Sequence, residues 1–512
     1  MIKNIKWLFL VSLTFIACND DEIVTYDTAD GLPLTAGNAD FSNYVALGDS
    51  YSSGFSDGAL FIEGQKGSFT NILAQQFALV GGGIFTTPLM SDNNGGLLLG
   101  PIQIQSPRLY FNGSAPVRVS DLPTTQLATH LTGSFNNLGV PGAKSYHLLY
   151  PGYGNTSNVS LGTASPYFSR FSSSTGTTVL ADALSQSPTF FSLWIGGNDV
   201  LGYATTGGDG TDPITPTVTF SNAYNALTSQ LAASGRKGVV ANLPYVTTLP
   251  YFKTVPHNPL TSSVLGKGST AVGDATISAL NTQLYGPLKQ VLTAFGAGSR
   301  LNLLSATGGN PLLIKDESLP NLAAQLTAAF TPSLGAGTAA VYGAIFGQAR
   351  QATSSDLILL PTQSEIGTAP TALNSGLGIA PAEPLNKFGI TFPLQDSAVL
   401  IPTEILDLQT ATDAFNSIIQ AAATANELAF VDAKAVMDEL STTGITANNF
   451  TLNASLVTGG AFSLDGIHPS PRGYALIANK FIQAINAKYG SNLKGVNLGD
   501  YRILFPRNAA DF

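Results

Sequence analysis

The sequence predicts an α/β protein: a three-layer α/β/α sandwich with a mainly five-stranded parallel sheet and a large, mostly helical cap insertion. Three observations carry this. Short apolar runs recur at Tyr44 to Leu47, Phe135 to Val140, Thr189 to Ile195, Gly238 to Asn242 and Leu428 to Val431. Helical patterns separate them, and strands alternating with helices imply a parallel sheet covered on both faces. Between Tyr251 and about Pro402 the alternation lapses into helical and Pro/Gly-punctuated segments, which read as an insertion.

The first residues are set apart from the fold. Lys3 and Lys6 form a positive region, Trp7 to Ala17 a short apolar one, and small Ala17 precedes Cys18. Residues 1–17 therefore read as a secretory signal, too short for a stable membrane span. Cys18 is the only cysteine, so no intramolecular disulfide can form. Residues 18–40 are polar, aperiodic and punctuated by Gly31, Pro33 and Gly37, as in a tether.

Residues 41–252 and 403–490 then form the sandwich. Thr219 to Ser234 places Phe220, Ala223, Leu227 and Leu231 on one helix face, and Thr403 to Asn426 does the same with Leu408, Phe415, Ile418, Ile419 and Ala422. Ser470 is a good N-cap, Pro471 suits the first helical position, and Tyr474, Ile477, Phe481 and Ile485 continue a buried face. The insertion, residues 253–402, predicts helices near Ala271 to Leu292, Leu322 to Phe330 and Ala339 to Arg350, with a strand at Asp356 to Leu360. Residues 491–512 are a C-terminal extension.

Composition narrows the function. Charged residues are 11% of the chain, against about 25% in an average globular protein, so the surface rests on Ser, Thr, Asn and Gly. Net charge is −9 with no Lys/Arg cluster, which argues against nucleic acid as partner. The uncharged stretch Ser318 to Ala349 is broken by Pro332, Gly335 and Gly337 and reads as a folded cap, since a span needs about 20 strongly apolar residues. The four histidines (His130, His147, His257 and His468) are scattered, and Gly81-Gly82-Gly83 lacks a following Lys-Ser/Thr. No metal, phosphate loop or cofactor is expected.

Four motifs follow one another in order: Gly48-Asp49-Ser50-Tyr51, Asn137 to Gly142, Gly197-Asn198-Asp199 and Asp465-Gly466-Ile467-His468. Each follows a predicted strand, so all converge at the carboxyl edge of a parallel sheet, where α/β folds bind ligands. Ser50 is a candidate nucleophile on a Gly-containing turn, although Asp49 and Ser50 also suit a helix cap. Asp465, three residues before His468, can reach Nδ1 of the imidazole and leave Nε2 free for Ser50. Asp199 suits bracing a turn, and His147 is a candidate pocket residue near the second strand. The apolar stretch Leu322 to Phe346 suggests a lid or acyl-chain wall over the site, the alternative being a subdomain packed away from it.

This set resembles the SGNH hydrolase (GDSL lipase/esterase) superfamily over about Phe41 to Leu249 and Thr403 to Ala487; Tyr51 replaces the Leu of the name-giving motif. The resemblance implies the flavodoxin-like SGNH fold and a serine esterase or lipase-like acylhydrolase with Ser50, Asp465 and His468 as catalytic residues. It implies an oxyanion hole from the backbone N–H groups of Ser50 and Gly142 and the side chain of Asn198, with Gly139 competing for the Gly142 role. The substrate would be a small-molecule, lipid or glycan ester. A carbohydrate deacetylase or acyltransferase using the same site, or a non-catalytic surface lipoprotein of this fold, are the alternatives. Phe15-Ile16-Ala17-Cys18 resembles a bacterial lipobox, which implies lipidation of Cys18, export, and anchoring in the outer membrane or at the cell surface of a Gram-negative bacterium. The acidic run Asn19 to Glu22 then resembles a surface-export signal, or serves as a solvated linker.

Overall fold

A computed structural model describes residues 31–508. The signal segment and Cys18 lie outside the described residues.

All five predicted runs become strands of one sheet: β1 Tyr44–Gly48, β2 Asn137–Gly139, β3 Phe190–Trp194, β4 Lys237–Ala241 and β5 Ala429–Val431. The order is β5-β4-β3-β1-β2 with every pairing parallel. Every residue of β1 and β3 is buried, which is why both read as unbroken apolar runs. Helices Thr217–Leu231 and Pro402–Ala425 pack together through Phe220 and Phe415, whose rings stack 4.0 Å apart. Phe69–Ala78 and Pro471–Tyr489 meet through Phe69 and Phe481 at 4.7 Å. Ser470 caps the last helix by accepting from the Gly473 N–H, as its sequence signals. The result is the α/β/α sandwich.

Chain reversal between β2 and β3 through β1 creates a switch point, the crevice where open α/β sheets bind ligands. Register fixes what meets there: Gly48 at the end of β1 lies opposite Gly139 and Trp194.

The tether docks earlier than its polar composition implied. Asn492 donates from its side chain to the Pro33 carbonyl, and the Asn38 N–H donates to the Tyr489 carbonyl at 2.8 Å. Several elements had no counterpart in the sequence reading. Among them are the hairpins Leu97–Leu99/Ile102–Gln105 and Leu109–Phe111/Pro116–Arg118, and the helix Ala433–Thr442. Three-residue strands are too short to establish a period.

Residues between Val255 and Ile401 build a second hydrophobic core. Its helices are Thr270–Leu280 and Gly286–Ala294, joined by a π turn at Asn281–Tyr285, then Ala323–Leu334 and Ala336–Phe346. Leu357–Ile358 pairs with Val399–Leu400. The lid expectation is corrected here. Phe330 and Phe346 each pack a tilted ring against Tyr342, at 5.4 and 5.7 Å, and their neighbours in the core come from the insertion itself. The stretch is apolar because it fills this second core, and no residue of it lines the catalytic cleft. Among the described residues no helix is long and apolar enough to cross a membrane.

Gly139 is a tightly packed point of the same sheet edge. A Cβ there would sit 2.4 Å from the Ser53 amide nitrogen and 2.7 Å from the Ser52 carbonyl carbon. Gly139→Ala is expected to destabilise the fold by about 1–3 kcal/mol or more through overpacking. A melting temperature equal to wild type would contradict this packing.

Candidate active site

The site begins with a sharp turn. β1 ends at Gly48, where a Cβ would fall 2.3 Å from the Trp194 carbonyl oxygen and 2.2 Å from Ser52 Oγ. Only glycine fits there, so the chain can leave β1 directly into the one-turn helix Ser50–Ser53. Asp49 caps that turn, accepting from the Tyr51 N–H at 3.0 Å. The capping reading of the motif therefore holds. Asn137 on β2 donates to the Ser52 carbonyl and to Thr70 Oγ1, each at 3.0 Å, and holds the turn from the opposite side.

Ser50 Oγ lies 2.8 Å from His468 Nε2, and His468 Nδ1 lies 2.8 Å from Asp465 Oδ2. The Asp465 contact fixes the proton on Nδ1 and leaves Nε2 as acceptor for the Ser50 hydroxyl. Asp465 is largely shielded from solvent yet accepts from five donors. Oδ1 takes the Ile467 and His468 N–H groups and Ser463 Oγ; Oδ2 takes His468 Nδ1 and the Gly58 N–H. Burial alone would raise its pKa, but the His468 charge and these bonds outweigh burial and lower it to about 2.

The second and third motifs meet beside Ser50. Asn198 Nδ2 donates to the Ala143 carbonyl at 3.0 Å, and Asp199 accepts from the Ser145 N–H and hydroxyl at 2.7 and 2.8 Å. Asp199 braces the turn, as its position after Asn198 suggested. Gly142, adjacent to Ala143, is exposed at φ +77°, a conformation favouring glycine. The N–H of Gly139, its competitor, is taken by Asn137 Oδ1 at 3.0 Å. His147 does not line the cleft: its Nδ1 accepts from the Lys144 N–H and its ring stacks on Tyr153. Burial, with Lys144 nearby, lowers its pKa to about 4, which keeps it neutral.

The cleft has Asp49, Ser50, Asn198 and Ile467 on its walls, with Trp194, Leu243 and Val246 making it largely apolar. Residues 44–329 match the GDSL-like Lipase/Acylhydrolase family, more than half of the chain. The chain belongs to this family. The matched span carries Ser50, Gly142 and Asn198 and ends before Asp465 and His468, which the fold itself returns to Ser50. Among solved structures, LAE5, an alpha/beta hydrolase enzyme from the metagenome of Lake Arreo, Spain, is similar at 9% identity and a TM-score of 0.33, covering 88% of this chain and 96% of that one. No curated relative matches the chain. The family supports a hydrolase.

Sequence reasoning missed the residues that hold the Asp465 loop. The Asp57 N–H donates to Ser463 Oγ at 2.9 Å, and Asp57 Oδ1 accepts from the Leu464 N–H at 2.9 Å. Tyr51 donates from its hydroxyl to the Ile467 carbonyl, and Tyr474 to the Phe55 carbonyl, both at 2.7 Å. The Asp57-Gly58 pair is a turn signal that could have marked the spot. The insertion also reaches this loop: a Cβ on Gly466 would lie 3.3 Å from Leu360 Cδ2.

Asp57 Oδ2 is buried without a hydrogen-bond partner, and burial, with Asp465 nearby, raises the Asp57 pKa from 3.8 to about 7. Burial does the same to Asp49. Both carboxyls hold a proton more tightly folded than unfolded. Their contribution to stability is complete below the unfolded pKa of 3.8 and is lost as pH rises through about 7. Asp57→Asn keeps the acceptor for Leu464, tolerates φ +53° and cannot ionise. Urea midpoints measured from pH 4 to 8 should fall less steeply with rising pH in this variant than in wild type. An identical slope would mean that Asp57 is not the titrating group.

Proposed function

We propose that this hydrolase is a serine esterase that cleaves carboxylic esters through an acyl-enzyme at Ser50. The observation that carries the reading is the unbroken relay from Asp465 through His468 to Ser50, with both contacts at 2.8 Å. Ser50 Oγ attacks the ester carbonyl carbon while its proton passes to His468 Nε2. The tetrahedral oxyanion is held by the Ser50 and Gly142 N–H groups and by the second amide hydrogen of Asn198, whose first is engaged with Ala143. Collapse breaks the bond to the alcohol, which leaves with the proton from His468. Water, deprotonated by His468, then attacks the acyl-Ser50 ester, releasing the carboxylic acid and restoring the serine hydroxyl. Asp465 remains ionised throughout and stabilises the imidazolium.

Backbone donors support this role because they need no reorganisation as charge develops. The loops that carry them are tied together by Asp199 and Ser145. We also read the chain as exported and anchored by a lipid on Cys18, on the strength of the basic and apolar segments before it. Membrane fractionation of the Cys18→Ser protein checks this, and full retention in the membrane fraction would contradict it.

Ser50→Ala and His468→Ala are each expected to lower ester hydrolysis by about 10⁴-fold or more, because the three residues act as a unit. Asn198→Ala should cost about 10²-fold in kcat, the usual effect of removing one oxyanion donor. The measurement is turnover of p-nitrophenyl esters together with fluorophosphonate labelling. Wild-type turnover in purified Ser50→Ala protein would exclude the acyl-enzyme at that residue.

A further inference from the structure

Arg170 is a buried cation without a counter-charge. It is 2% exposed and closes the short helical turn Phe168–Arg170. Nη2 donates to the Leu89 carbonyl at 3.0 Å, and Nη1 donates at 3.1 Å to Met90 Sδ, a weak acceptor. The Nε–H is buried with no acceptor. No carboxylate of the described residues lies within ion-pair distance of this guanidinium. Arg350, also largely buried, shows the usual solution: it meets two carboxylates, Asp316 and Asp356. A charge taken out of water without such a partner is costly.

Arg170 lines a small hollow together with Ser53, Gln65, Asn137 and Tyr167, beside the one-turn helix that carries Ser50. The wall bears no carboxylate. Its amide oxygens are already engaged: Gln65 Oε1 accepts from the Met90 N–H at 2.7 Å, and Asn137 Oδ1 from the Gly139 N–H at 3.0 Å. Burial holds the Tyr167 phenol well above its ordinary pKa, so that residue offers a hydroxyl and not a counter-charge. About 10 Å³ of the hollow is open to the centre of a water-sized sphere, room for one such occupant. Sulfate, phosphate and carboxylates are too large for it.

We propose that this hollow is a binding site for a monatomic anion of the halide class, chloride above all, held against Arg170 Nε. Such an ion supplies two things at once: an acceptor for the Nε–H and a negative charge beside the guanidinium. A water supplies the first alone, and the charge-assisted bond is the stronger one. The ion is structural, and it sits where structure bears on the site. Tyr167 packs edge to face on Phe55 at 6.5 Å, and the Phe55 ring lies 4.6 Å from that of His468. The proposal stands apart from the esterase reading, since it needs no reaction at Ser50.

The test is thermal unfolding of the wild-type protein in rising chloride, with gluconate, an anion too large to enter, holding ionic strength constant. Above half-saturation the melting temperature should rise by about 1 °C for each tenfold increase in chloride. Bromide should act in the same way. Arg170→Met keeps the apolar stem and removes the charge, and should lose this dependence. A second readout needs no variant: wild-type crystals grown in bromide should show anomalous scattering in the hollow, beside Arg170 Nε. Should Arg170→Met fail to fold, the bromide signal decides alone. A melting temperature indifferent to chloride, or a chloride response that survives in folded Arg170→Met, would overturn the proposal. So would a hollow without bromide signal that holds water only. Neither readout involves ester turnover, so a failure here leaves the esterase reading untouched.

Discussion

Two segments separated by most of the chain, Ser50 to Gly58 and Ser463 to His468, must be held together to within hydrogen-bonding distance, and the buried Asp465 carboxylate is the group that does it. Its two oxygens gather donors from both segments: Gly58 from the first, and Ser463, Ile467 and His468 from the second. A carboxylate so saturated costs little to bury and is strongly oriented, whereas one deprived of its donors would be an uncompensated buried charge. The Ser50–His468 distance is therefore a consequence of the Asp465 cradle. Asp57, Tyr51 and Tyr474 secure the same junction by bonds to Leu464, Ile467 and Phe55.

The sheet supplies the other half of the constraint. With β1 between β2 and β3, the three loops carrying Ser50, Gly142 and Asn198 leave neighbouring strands at one edge. Backbones approach so closely there that Gly48 and Gly139 have no room for a side chain. The apolar layers and the reactive edge are thus one packing problem. A methyl group added in the sheet's end would displace the nucleophile turn, not merely loosen the core.

What the sequence made legible follows from how each feature encodes itself. β1 and β3 are buried on every residue and stand out as apolar runs, and the helix after Ser470 announces itself by its cap and its Pro471. The reactive groups were legible because their spacing is imposed by local geometry: Asp465 and His468 share one turn, and Ser50 must follow a glycine-bearing strand end. Asp57 was not legible, because its role lies in contacts with Ser463 and Leu464 across more than four hundred residues. The helix Ala336–Phe346 misled for a related reason. Hydrophobicity records that a segment is buried but carries no label for the core that buries it, and here the insertion has its own.

The buried acids around the site divide in a way that suits acyl transfer. Asp49, Asp57 and Asp199 are all buried, and burial as the leading cause raises each pKa, to about 7 for the first two. Asp465 alone goes the other way, because it alone is paired with the imidazole. Raised values favour the protonated form of Asp49, which lines the cleft beside Ser50. A second fixed negative charge at that point would oppose the oxyanion of the proposed reaction, and in a largely apolar cleft such repulsion is poorly screened. Keeping Asp465 ionised beside the imidazole, and Asp49 inclined to neutrality beside Ser50, would separate the two electrostatic demands of the proposed reaction.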